Sequence, residues 1–179
     1  IAVLGAGQMG NGITQVAAAA GYDVIMIDIQ QEYVDKGLAT IQRSLGKLVS
    51  KERMSQEDAD ATLARISLAT DRNVCADCDL VVEAVPEILD LKTSIFAELD
   101  GICKPETILA SNTSSISIST IADATNRPDR VIGMHFMNPV PIMKLVEVIN
   151  GDKTSTETNS AVIEASAKMG KTALSCNDS

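Results

Sequence analysis

The chain has 179 residues, with 24 acidic against 15 basic side chains for a net charge of −9, 45% hydrophobic residues, 4 cysteines and 1 histidine. That length suits one domain with a sizeable core, and the composition is that of an ordinary globular protein, not a disordered one. The negative charge argues against nucleic acid or an anionic membrane surface as partner, aromatics at 2% leave no base-stacking platform, and one histidine removes multi-histidine metal sites.

Residues 1–4 are a short apolar run ending in glycine, as a buried parallel strand does; 8–20 follow with helix-forming composition up to Gly21. A second β-rich run, 24–27, ends at Asp28. Residues 31–64 are polar with helical spacing. Ser55, followed by Glu57 and Asp58, marks a fresh helix start, so the stretch reads as two helices broken near 53–55. Strands at 66–69 and 80–82 precede a helix over 87–100, which follows Pro86. Then come a strand at 107–110, a short helix at 117–124 and a strand at 130–135. Beyond Pro139 and Pro141 lie a strand at 144–149, a helix at 155–169 and a last strand at 171–174. Strands alternating with helices imply a Rossmann-type, doubly wound α/β fold. Its sheet is mostly parallel, it carries a helical-hairpin insertion, and its ligand lies at the carboxyl ends of the strands. No apolar run is long enough for a transmembrane helix, and the first residues do not form a leader. The chain starts without methionine inside an apolar strand, so both ends are expected to be cut.

The cysteines do not make a disulfide scaffold at this size and fit a cytoplasmic setting. Cys75 and Cys78 form a C-x-x-C pair, suited to redox chemistry or half a zinc site. No second pair or nearby histidine completes four ligands, so a structural role fits better and no metal is expected. Cys103 and Cys176 stand alone.

Gly5-Ala6-Gly7-Gln8-Met9-Gly10 matches G-x-G-x-x-G. The pattern is weak alone, but here it follows a strand, opens a helix, and is answered by an acid at a strand end about twenty residues on. Gly5 permits the tight turn, Gly7 lets backbone approach a pyrophosphate, and Gly10 lets helix pack close to strand. The amides that open the helix, at Gln8 and Met9, then face phosphate. Asp28 is placed to accept from an adenosine ribose diol and to repel a 2′-phosphate, which favours NAD over NADP.

His135 lies in Gly133-Met134-His135-Phe136-Met137-Asn138-Pro139-Val140-Pro141, and Glu147 in Leu145-Val146-Glu147-Val148-Ile149. A glutamate in an aliphatic run is expected to be buried, and a buried carboxylate is costly unless paired. If the chain folds back about Pro141, the two residues come opposite each other on neighbouring strands. Glu147 then fixes one tautomer of His135 and favours its protonated form, which suits a general acid/base. The run Ser111-Asn112-Thr113-Ser114-Ser115 follows a strand and offers hydroxyls to a substrate oxygen; a helix-capping loop reads equally well. Arg43, Lys47 and Lys51 recur every four residues on one helical face, flanked by Lys36 and Arg53. The row suits either solvent or an anionic, nucleotide-tailed ligand.

Taken together, Gly5 to Gly10, Val82-Glu83-Ala84-Val85-Pro86-Glu87, Ser111 to Ser115, and His135 to Pro141 through Glu147 resemble the NAD-binding domain of L-3-hydroxyacyl-CoA dehydrogenases over essentially the whole chain. The likeness is strongest to short-chain 3-hydroxybutyryl-CoA dehydrogenases of bacteria. The resemblance implies that His135 is the catalytic acid/base with Glu147 as partner, and that Ser114 binds the substrate oxygen near the nicotinamide. By the same resemblance Asn138 contacts the nicotinamide end, Glu87 and Lys92 lie along the cofactor site, and Ser44 and Lys51 touch coenzyme A. The implied reaction is reversible oxidation of a (S)-3-hydroxyacyl-CoA to the 3-oxoacyl-CoA with NAD. In the family an all-helical domain follows, opening with a Pro-Gly-Phe-Val-like run and carrying most dimer contacts. No such run precedes Ser179, so 1–179 is expected to be one domain of a longer, homodimeric two-domain chain. A nucleotide-binding module without turnover is the alternative.

Overall fold

The structure, a computed structural model, describes residues 1–179. Eight strands form one sheet: β1 (Ala2–Leu4), β2 (Val24–Ile27), β3 (Ile66–Ala69), β4 (Leu80–Glu83), β5 (Ile108–Ser111), β6 (Val131–Phe136), β7 (Leu145–Asn150) and β8 (Thr172–Asn177). Their order is β3-β2-β1-β4-β5-β6-β7-β8, and every neighbouring pair is parallel except β6 with β7. The order reverses between β1 and β4, where a doubly wound sheet opens its crevice.

Six helices surround the sheet: α1 (Gln8–Ala19), α2 (Gln31–Ser50), α3 (Gln56–Ala64), α4 (Leu89–Ile102), α5 (Ile118–Ala122) and α6 (Thr156–Lys168). Period-two alternation divides the core between the faces. Val3, Val82, Ile132, Met134, Val146 and Val148 pack with residues of α1 and α6. Ala2, Leu4, Val81, Leu109 and Val131 face Ile95, Phe96 and Leu99 of α4 and Ile118 and Ile121 of α5. The α2–α3 hairpin has its own apolar seam of Val34, Ile41 and Leu45 against Ala6 and Met26. Ser55 caps α3, its hydroxyl accepting from Asp58 N at 3.0 Å, and Glu52 turns the chain at φ 56°. No helix is long and apolar enough to cross a membrane.

Three elements differ from the sequence reading. The helix after Pro86 begins at Leu89 and leaves Glu87 outside, because that carboxylate is engaged by residues beyond β5. The last strand runs to Asn177, since β7 offers backbone partners up to Asn150 whatever the side chains are. A 3-10 turn at Arg72–Asp77, which shows no hydrophobic period, carries Cys75 and Cys78 into the core beside Cys103.

Two buried cations brace the fold. The Arg127 guanidinium meets Asp100 at 2.6 Å and donates to the carbonyls of Asp100, Cys103, Lys104 and Thr107, tying the end of α4 to the start of β5. Lys171, 9% exposed, donates to the carbonyls of Val140 at 2.5 Å and Met143 at 2.6 Å. It thus holds the loop between β6 and β7 from below. From the other side Val140 presses on α1, where a Cβ added to Gly12 would lie 2.8 Å from Val140 Cβ.

Candidate active site

The glycine loop sits where the strand order reverses. Gly5 has φ 103°, a conformation that favours glycine, and a Cβ there would meet Ala84 O at 2.5 Å. A Cβ on Gly10 would fall 1.9 Å from Gly5 O, so α1 starts hard against the turn. Around Gly7 a Cβ would find nothing within 4 Å. Gly7 is also the N-cap of α1 and gives it no side-chain cap, so the first amides of the helix are left for an external acceptor. The loop is closed where the protein packs and open at Gly7, a shape that can receive a phosphate.

Two cavities flank the loop, and Val85 borders both. The first, about 320 Å³, is bounded by Gly5, Asp28, Ile29, Arg72 and Glu98. Asp28 accepts from Ala6 N at 2.9 Å and from Ile29 N at 2.7 Å, so the carboxylate both fixes the glycine loop and borders this space. The second, about 310 Å³, is bounded by Met9, Glu87, Ser114, His135 and Asn138.

The second cavity is bordered by the one histidine of the chain. In the antiparallel hairpin His135 pairs with Glu147, and His135 Nδ1 lies 3.0 Å from Glu147 Oε1. Nε2 is the ring nitrogen left without a protein partner. The expectation of a buried Glu147 is corrected: its side chain is 36% exposed, against 19% for His135, because it projects from the face of β7 opposite Val146 and Val148. Asn112 Oδ1 accepts from Phe136 N at 2.8 Å and pins the end of β6 to the loop after β5.

Beneath lies a polar network centred on Glu83. This fully buried carboxylate accepts from Lys92 Nζ at 2.6 Å, Ser111 Oγ at 2.6 Å and Val85 N at 2.8 Å. Glu87 accepts from Thr113 Oγ1 at 2.7 Å, Ser114 N at 3.0 Å and Ser114 Oγ at 3.2 Å, with Lys92 Nζ 3.4 Å away. Burial pushes the Glu87 carboxyl up, but the donors Thr113 and Ser114 and the charge of Lys92 outweigh it and hold it below its ordinary value. Of the hydroxyls expected to face a substrate, Ser111 and Thr113 are buried on carboxylates and Ser115 does not border the cavity, so Ser114, exposed although bonded to Glu87, is the one at the cavity. Lys92 borders the cavity but is 2% exposed and tied to both glutamates, so it acts there through them.

Glu83 is the site residue that sequence reasoning missed. It ends an aliphatic run just as Glu147 interrupts one, and the same signal would have found it. Ser44 and Lys51 stand two turns apart on α2, with Lys51 exposed at its C-cap, and neither borders the His135 cavity. Arg43 donates to Thr40 and Lys36 pairs with Glu32, so part of the basic row is engaged along the helix itself.

Comparison with known proteins agrees with this architecture. Residues 1–179 match the family model of the 3-hydroxyacyl-CoA dehydrogenase NAD binding domain. The chain is 54% identical over 176 residues, 98% of its length, to a probable 3-hydroxybutyryl-CoA dehydrogenase of Deinococcus radiodurans, and covers 63% of that protein. It is 50% identical over 171 residues, 96% of its length, to a 3-hydroxybutyryl-CoA dehydrogenase of Bradyrhizobium diazoefficiens, of which it covers 58%. The crystal structure of the (S)-3-hydroxybutyryl-CoA dehydrogenase from Ralstonia eutropha superposes with TM-score 0.98 at 46% identity, over 99% of this chain and 63% of that one. The chain therefore spans about three-fifths of the length of these relatives. It belongs to the NAD-binding domain family of 3-hydroxyacyl-CoA dehydrogenases, and NAD is its cofactor.

Proposed function

We propose that this NAD-binding domain supplies the acid–base chemistry of an enzyme that reversibly oxidises a (S)-3-hydroxyacyl-CoA, of the short 3-hydroxybutyryl type, to the 3-oxoacyl-CoA. The observation that carries the reading is His135, paired with Glu147, bordering the same cavity as Ser114 and Asn138, beside a glycine cradle that fits a pyrophosphate.

The free Nε2 of His135 takes the proton of the substrate hydroxyl in oxidation and returns it in reduction. Glu147 keeps a proton on Nδ1, so that Nε2 is the basic nitrogen, and it stabilises the imidazolium once formed. Ser114, held in place by its backbone amide on Glu87, turns its hydroxyl proton from that carboxylate to the oxygen on which negative charge develops as the carbonyl forms or is consumed. Asn138 supports the nicotinamide end of the cofactor. Bound NAD supplies the hydride acceptor. Asp28 holds the ribose diol and its charge disfavours a 2′-phosphate. Ser44 and Lys51 hold coenzyme A, for which the unpaired cations Lys47 and Lys51 make α2 a receptive surface inside a chain of net charge −9. The residues 1–179 form the cofactor-binding domain of a two-domain, homodimeric enzyme whose dimer contacts lie in the second domain.

His135→Gln in the complete polypeptide tests the central assignment. Turnover is expected to fall by roughly a hundredfold to ten-thousandfold while the dissociation constant for NAD stays within a factor of two. Undiminished turnover removes His135 from the mechanism, whereas a wild type that binds NAD without any turnover makes a nucleotide-binding module the better description.

A further inference from the structure

The cavity that holds His135 also carries an unbalanced charge. Lys92 Nζ lies 2.6 Å from Glu83 and 3.4 Å from Glu87, and it is the one cation set between the two carboxylates. With both glutamates counted as carboxylates and the lysine as an ammonium, the group carries one surplus negative charge. Glu83 and Lys92 are the closer pair, 0% and 2% exposed, and cancel each other inside the protein. The surplus resides on Glu87, which is 38% exposed and borders the cavity beside Ser114 and His135. Its other donors, Thr113 Oγ1 and the amide and hydroxyl of Ser114, are neutral. They solvate the anion without neutralising it.

A nicotinamide that works with His135 must enter this same cavity, because hydride and hydroxyl proton leave one H–C–O–H unit of the substrate. Its ring carries a positive charge when oxidised and none when reduced, while the remainder of the dinucleotide is the same in both states. A fixed anion in the cavity acts on that one difference. We infer that Glu87 sets the preference of this domain between the two oxidation states of its cofactor, stabilising the oxidised, cationic ring relative to the reduced, neutral one. The inference rests on the dehydrogenase reading for the location of the ring. It gives Glu87 a role beyond orienting Ser114. The Glu83–Lys92 pair complements it by anchoring Glu87 from the buried side at no net charge of its own.

The test is binding, not turnover. NADH is titrated into the complete polypeptide by its own fluorescence, and NAD+ by displacement of NADH, for wild type, Glu87→Gln and Thr113→Val. One charge acting across a half-open cavity is worth roughly a threefold to tenfold change in relative affinity. In Glu87→Gln, NAD+ is expected to weaken relative to NADH by that factor, and added salt to move the wild-type ratio toward the variant's. Thr113→Val removes a hydrogen bond to Glu87 but no charge, and is expected to leave the ratio alone. An unchanged ratio in Glu87→Gln overturns the inference. So does an equal loss for both nucleotides, or a Thr113→Val shift as large as that of Glu87→Gln, since either makes loop geometry and not charge the cause. Wild type that binds neither nucleotide overturns the reading beneath the inference, and the wild-type titration alone reveals it.

Discussion

The floor and the wall of the His135 cavity are built in opposite ways. On the floor, Glu83, Lys92 and Ser111 sit between β4, β5 and α4, fully buried, each polar atom answered by another protein atom. On the wall, His135 and Glu147 stand on a hairpin that is partly open to solvent, with Ile142 and Met143 exposed at its turn. The floor is finished by this domain alone. The wall makes one interaction and leaves the remaining valences of both side chains free. The contrast matches the roles proposed above: groups that only position are locked in a dry network, whereas groups proposed to exchange protons keep an unfilled valence.

Single substitutions should divide the two regions by kind of damage. On the floor, Lys92→Met strands the buried Glu83 carboxylate and is expected to cost about 3–5 kcal/mol by chemical denaturation, the largest effect here. Adding Glu83→Gln to it should recover most of that loss; a double variant as unstable as the single one would mean that shape and not charge governs the network. On the wall, Glu147→Gln should cost under about 1 kcal/mol of stability, as half-exposed pairs do, yet lower kcat roughly tenfold to a hundredfold with NAD affinity unchanged. A stability loss there comparable with that of Lys92→Met would erase the distinction. The smallest effect concerns acid. Glu87, held below its ordinary value, stabilises the fold above the unfolded glutamate pKa of about 4.3, and that contribution disappears as pH falls through the lower, folded value. The melting temperature of wild type should therefore exceed that of Glu87→Gln near neutrality and converge with it below about pH 4; a gap independent of pH would assign the difference to hydrogen bonding alone.

What was legible in the sequence follows the range of the forces involved. The run from β1 through the glycine loop to Asp28 is written in local turn chemistry, and the two-helix hairpin is announced by Ser55 with its acids. The His135–Glu147 juxtaposition follows from one proline-bearing turn and strand alternation, both short-range. The place of Glu87 outside α4 escaped because its helical surroundings favour a helix start, while the donors that draw it out, Thr113 and Ser114, are 26 and 27 residues away. Lys171 reads as an ordinary strand-leading lysine until the carbonyls of Val140 and Met143 close over it. The polar strand β8 owes its length to pairing with β7, which no side-chain period reports.

The contact between Gly12 and Val140 has a consequence for how this sequence can change. A glycine inside a helix gives up about 1 kcal/mol against alanine, but at position 12 a methyl would strike Val140 at 2.8 Å. The two positions are coupled: since the atom met is Val140 Cβ, which every residue but glycine carries, a side chain at 12 calls for glycine at 140 or a shift of the turn. Since position 12 lies on α1, behind the glycine loop, and position 140 on the turn that leads from His135 to Glu147, a change of size on the one is transmitted to the backbone of the other.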